Sequence, residues 1–92
     1  MKIKVRAFAS FREILGKELD LESRDDTTAA DLLAELASRN KRFKEAAFEE
    51  SGQLRDYVLL MINRKRIDPQ KDLLTRLHDG DELAVFPPVA GG

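Results

Sequence analysis

Apolar residues run together at YVLLMI, Tyr57–Ile62, and the rest of the chain has to be arranged around them. A strand with one face in water alternates apolar with polar, whereas a run apolar on both faces is expected of a strand inside a sheet. We therefore place YVLLMI at the centre of a sheet and look for its neighbours. Upstream, Lys2–Ala9 alternates, with Ile3, Val5 and Ala7 on one side and Lys4, Arg6 and Phe8 on the other, the period of a half-buried strand. Ser10–Gly16 reads as a short turn with a helical stretch. Leu19 and Leu21 in KELDLE resume the alternation, so a second strand folds back beside the first.

Asp25, Asp26, Thr27 and Thr28 supply helix N-cap chemistry, and Asp31 completes a capping box with Thr28. Ala29, Leu32, Leu33, Leu36 and Ala37 then share one face of a helix ending near Asn40. Lys41–Gly52 is polar with Phe43, Ala46, Ala47 and Phe48 interspersed, either a second short helix or an irregular excursion. Beyond YVLLMI, Asn63–Arg66 (NRKR) reads as a solvated turn before a brief strand around Ile67. After a loop at Asp68 and Pro69, Leu73, Leu74 and Leu77 suggest one helical turn plugging the core, and HDGD is a tight turn into a last strand, ELAVF.

This order, with the first hairpin and the last strand flanking YVLLMI and a helix across one face, specifies an α+β fold: a ubiquitin-like β-grasp roll with a mixed sheet of four to five strands and one main helix. Residues 1–86 form that domain and residues 87–92 an extended, flexible C-terminal tail.

Ninety-two residues suffice for one modest core and not for two. Sixteen basic against seventeen acidic side chains leave a formal charge of -1, which argues against nucleic acid and acidic membranes as partners. No apolar run approaches a membrane span, and the N-terminus lacks a secretory signal, so the expected location is the cytoplasm. Without cysteine the chain has no thiolate of its own. The single His78 lies among turn formers, so neither a metal centre nor a catalytic residue is expected.

The first and last strands place Phe8, Ala84 and Phe86 on the side away from the helix, with one apolar set of YVLLMI. That leaves an exposed apolar patch, as on a partner-binding surface, unless Lys41–Gly52 folds over it. The chain then ends FPPVAGG, Phe86–Gly92. Pro87 and Pro88 should stop the strand and hold the tail away from the sheet, with a reach of about 20 Å. Gly91 and Gly92 carry no side chain, so a narrow channel can close around the terminal carboxylate. A carboxylate needs an energised leaving group, and the chain has no phosphate-binding glycine loop. ATP would therefore be bound by a partner and not by this chain, which is left as the substrate.

DGDELAVFPPVAGG, Asp79–Gly92, resembles the end of the MoaD family, the small sulfur-carrier subunit of molybdopterin synthase, and AFASFREILG, Ala7–Gly16, resembles its first strand and turn. With the stretch FEESGQLRDYVLLMINR, Phe48–Arg64, the chain is more similar to archaeal MoaD-like proteins, which include small ubiquitin-like protein modifiers, than to the shorter ThiS carriers. The resemblance implies adenylation of Gly92 by a ubiquitin-activating-like enzyme using ATP, with Gly91 as channel spacer and Phe8 and Phe86 as docking residues. Sulfur transfer would then give a thiocarboxylate, donated to a pterin precursor or a tRNA base. Attack by a lysine would instead give an isopeptide bond to a target protein. Expected partners are the activating enzyme, the large subunit of molybdopterin synthase and target lysines, with a free monomer between encounters. The alternative is a β-grasp interaction module that docks through its open face and never reacts.

Overall fold

The structure, a computed structural model, describes Met1–Pro87. Its elements are β1 (Lys2–Ala7), α1 (Ala9–Leu15), β2 (Glu18–Glu22), α2 (Ala29–Arg39), α3 (Lys41–Ala47), β3 (Leu59–Ile62), β4 (Lys65–Ile67) and β5 (Glu82–Phe86). The alternation in β1 buries Ile3, Val5 and Ala7, and antiparallel pairing sets Ile3 against Leu21 and Val5 against Leu19. Gly16 closes α1 at φ 90, a conformation open to glycine at little steric cost. The turn thus returns the chain into β2.

Thr28 Oγ1 accepts a hydrogen bond from the Asp31 backbone N–H at 3.1 Å, and the Asp31 carboxylate accepts one from the Thr28 N–H at 3.1 Å. This is the expected capping box, and α2 buries Ala29, Leu32, Leu33 and Leu36 behind it. Asn40 then joins three elements. Its side-chain oxygen accepts from the Phe43 N–H at 3.1 Å to start α3, and its Nδ2 donates to the Ile14 carbonyl at 3.3 Å on α1. Phe43 and Ala47 are buried, and the Phe43 ring meets Phe11 edge-on at 5.3 Å. The first part of Lys41–Gly52 is therefore a helix on the core side, and it does not cover the opposite face of the sheet. Two short helices, α1 and α3, thus join the main helix α2 in covering the core.

The strand order is β2-β1-β5-β3-β4, with β1 and β5 parallel and every other pair antiparallel. The central strand is β5, which corrects the placement of YVLLMI. Only Leu59–Ile62 of that run form a strand, next to the edge strand β4, and Tyr57 is 49% exposed ahead of it. A second apolar face on β3 reflects an apolar outer surface, not a central position. NRKR is also only half a turn: Asn63 and Arg64, at φ 51 and 69, make the hairpin bend, while Lys65 and Arg66 belong to β4. Instead of a helical plug, Leu73 and Leu74 form a turn that leads into an antiparallel bridge between Arg76 and Thr28. The carbonyls of Leu73 and Thr75 accept the first N–H groups of α2, from Ala30 at 2.8 Å and Ala29 at 3.0 Å. Leu77 is buried as expected, but Leu74 is 79% exposed.

Candidate functional site: the outward face of the sheet

Strand registers define the rows of the outward face. One row runs Glu18, Arg6, Ala84, Met61, Arg66 across all five strands. Phe86 lies in the next row opposite Leu59, and Phe8, one residue beyond β1, joins it. The Phe8 and Phe86 rings stack with centroids 4.2 Å apart and planes 7° from parallel. Phe8, Phe86, Leu59 and Met61 are each half-buried, so together they offer an apolar patch at the end of the sheet where β5 finishes. The two phenylalanines placed outward by alternation are thus brought into contact. Leu59 and Met61 are the set of YVLLMI that joins them.

Ala84 departs from expectation: it is outward by register but only 6% exposed. Its methyl group lies below the longer side chains of Arg6 and Met61 beside it, so it floors the patch rather than presenting a surface.

The sequence reading passed over Arg6. Opposite charges face each other along the β1–β2 hairpin, at Lys2 and Glu22, Lys4 and Asp20, and Arg6 and Glu18. That cross-strand charge alternation was the signal available. Lys4 Nζ lies 3.8 Å from Glu18, Arg6 Nε 3.7 Å from Glu18, and Arg6 Nη1 3.8 Å from Glu82. The Arg6 guanidinium carbon also stands 5.6 Å from the centre of the Phe8 ring. A cation in this position links the charged hairpin to the aromatic pair.

Strand β5 ends at Phe86, and Pro87, just beyond it, is buried. Pro88, Gly91 and Gly92, expected to form the projecting tail and reactive end, lie outside the described residues. His78 is 83% exposed, with Nδ1 3.7 Å from Asp81, as expected of a loop histidine. Among the described residues, no cluster of three or more His, Cys, Asp or Glu side chains is arranged to hold a metal ion, and no helix is long and apolar enough to cross a membrane.

A mixed five-stranded sheet gripping its helices, with an apolar outer face on the strand that leads to a Gly-Gly end, defines the ubiquitin-like carrier and modifier class. The chain belongs to the ThiS family, whose profile matches residues 5–92. It is 34% identical to small archaeal modifier protein 3 of Haloferax volcanii over the whole of both chains. It is also 34% identical to the molybdopterin synthase sulfur carrier subunit of Escherichia coli, covering 98% of this chain and 99% of that one. The crystal structure of SAMP1 from Haloferax volcanii superposes with a TM-score of 0.88 at 28% identity, covering all of both chains. The resemblance to MoaD and to the archaeal modifiers is thereby borne out, as is the β-grasp fold.

Proposed function

We propose that this chain is a ubiquitin-like carrier that reacts at its own terminus. In the active site of a separate activating enzyme, the Gly92 carboxylate attacks the α-phosphorus of ATP, pyrophosphate leaves, and an acyl-adenylate remains. A persulfide thiolate on a partner then displaces AMP. That step forms a C–S bond; a second thiol then attacks the former persulfide's S–S bond, leaving a thiocarboxylate at Gly92 and a disulfide between the two thiol carriers. The thiocarboxylate supplies sulfur to a pterin precursor or a tRNA base, and the large subunit of molybdopterin synthase is the partner for the first of these. A lysine amine that intercepts the same adenylate forms an isopeptide bond and releases AMP. ATP belongs to the activating enzyme.

The observation that carries this reading is the continuity of β5 with both features it needs: the strand contributes Phe86 to the outward aromatic pair and leads in sequence to Gly91 and Gly92. A partner holding the patch thereby has the terminus within reach of about 20 Å. The names of the relatives, a sulfur carrier subunit and an archaeal modifier, support the same chemistry.

Intact mass and digest mapping of the protein, tagged at Met1 and recovered from its own cells, tests the proposal. Sulfur in place of one Gly92 carboxylate oxygen is expected for the carrier, and lysines branched with Leu77–Gly92 for the modifier. No Lys or Arg follows Arg76, so trypsin leaves that whole segment on a target. Recovery of the free acid alone, even after incubation with extract and ATP, overturns it. The stacked aromatic pair also suits a second reading, a module that docks without reacting. That reading expects partner affinity to survive deletion of Gly91 and Gly92 and to collapse with Phe8→Asp.

A further inference from the structure

Arg6 stands on the outward face, and among the described residues its side chain donates no hydrogen bond. A guanidinium has five N–H donors, yet both neighbouring carboxylates lie at 3.7 and 3.8 Å, beyond hydrogen-bond reach. Its Nε is buried and has no hydrogen-bond partner among the described residues. The side chain as a whole is 28% exposed and its Nε is buried, so the open part is the Nη end, where Nη1 faces Glu82 at the start of β5. Glu18 faces Nε, Glu82 faces Nη1 and the Phe8 ring lies beside the guanidinium carbon, so Nη2 takes part in neither ion pair.

From this geometry we infer that Arg6 is the polar anchor of the docking face and donates to a neutral, peptide-type carbonyl oxygen on the activating enzyme. The inference rests on the carrier reading and names the chemistry of its partner. The acceptor follows from local charge. Lys4, Glu18, Arg6 and Glu82 form a connected set that sums to zero. An incoming carboxylate would meet Glu18 and Glu82 together with the cation, and no net attraction repays its desolvation. A carbonyl loses far less solvation and takes the guanidinium dipole without repulsion. Arg66, at the far end of the row, is three strand spacings or about 14 Å away, beyond the screening length. Arginine is also favoured over lysine where a planar fork supplies several fixed donors.

The test is ATP–pyrophosphate exchange by the purified activating enzyme, with the full-length chain or its Arg6→Lys variant as substrate, read as KM and kcat over a range of NaCl and paired with thermal unfolding. Lysine keeps the charge between Glu18 and Glu82 but loses the fork. The expected result is an unchanged melting temperature, a KM raised about tenfold, the equivalent of ~1.4 kcal/mol for a hydrogen bond to a charged group, and an unchanged kcat. The wild-type KM is expected to vary less than about threefold between roughly 50 and 500 mM NaCl. A wild-type KM for Arg6→Lys overturns the inference and leaves Arg6 as a neutraliser of its carboxylates. A steep salt dependence overturns the neutral acceptor. If Arg6→Lys does not fold, Arg6→Gln combined with Glu18→Gln keeps the local charge balanced and carries the same expectation for KM. Absence of exchange with the wild-type chain overturns the carrier reading, and this inference with it.

Discussion

Phe8 and Phe11 are three positions apart and do opposite things. Phe11 is 1% exposed and meets Phe43 in the core, so Phe11→Ala is expected to cost about 3–5 kcal/mol, measured by urea unfolding. Phe8 stacks on Phe86 at the surface, where an aromatic pair is worth about 0.5–1.5 kcal/mol. Phe8→Asp should therefore leave a folded protein whose main loss is in partner binding, and a collapse of the fold would contradict its assignment to a docking face. Alternation along β1 made the direction of Phe8 legible, because one residue past the strand keeps its parity. Arg6 shares that parity, yet parity alone gives it only a direction. Its position between Glu18 and Glu82 depends on register with two other strands, which its own segment does not encode. Ala84 misled for a related reason: parity gives direction, while burial depends on the size of the neighbours.

At the level of elements, α2 was the most legible, since its cap and apolar stripe are local. Thr28→Ala is expected to cost about 1 kcal/mol, seen as a lower denaturant midpoint. The Thr28 backbone N–H, and after it the Thr28 side chain, hold the Asp31 carboxyl below its ordinary value. A carboxylate with a depressed folded value adds stability that is complete above its unfolded value, ~3.9, and is lost as pH falls through the lower folded value. Asp31→Ala should thus destabilise near neutral pH, with a penalty that shrinks as pH falls below the unfolded value and through the lower folded one. An unchanged penalty across that range would remove Asp31 from the cap's energetics. Asp68, lowered first by the Gln70 N–H, adds to the same acid sensitivity. The elements read less well were those fixed from a distance. Leu73–Leu77 looked helical by spacing, yet its carbonyls serve the N-terminus of α2. In NRKR, the pairing of Arg66 with Met61 extends a strand into what composition marks as a turn.

On the scale of the molecule, β1 and β2 make one hairpin, β3 and β4 another, and β5 alone pairs with both. The identity of the fold was legible from the order of elements, but which strand lies in the middle was not. Apolar character on both faces of YVLLMI has two physical sources, burial and an apolar outward surface, and here the second accounts for Leu59 and Met61. Deleting Gly91 and Gly92 should leave the melting temperature nearly unchanged while abolishing activation, because every described strand and core residue is kept. Truncation after Arg76 removes β5 and should abolish folding altogether, as read by the loss of cooperative thermal unfolding. A stable truncated domain would contradict the central role of β5.

That role also sets a timetable. Lys4 and Glu82 pair although 78 positions separate them, and parallel contacts at such separation form slowly because the intervening chain must first be gathered. As the chain is made, two hairpins and three helices emerge with an open seam between them, and nothing synthesised earlier can fill it. The segment that completes the sheet is also the one that leads in sequence to Gly91 and Gly92, so on the carrier reading proposed above Gly92 would meet its partner only beside a completed sheet. On that reading, the order of synthesis itself would keep an incomplete domain from being activated.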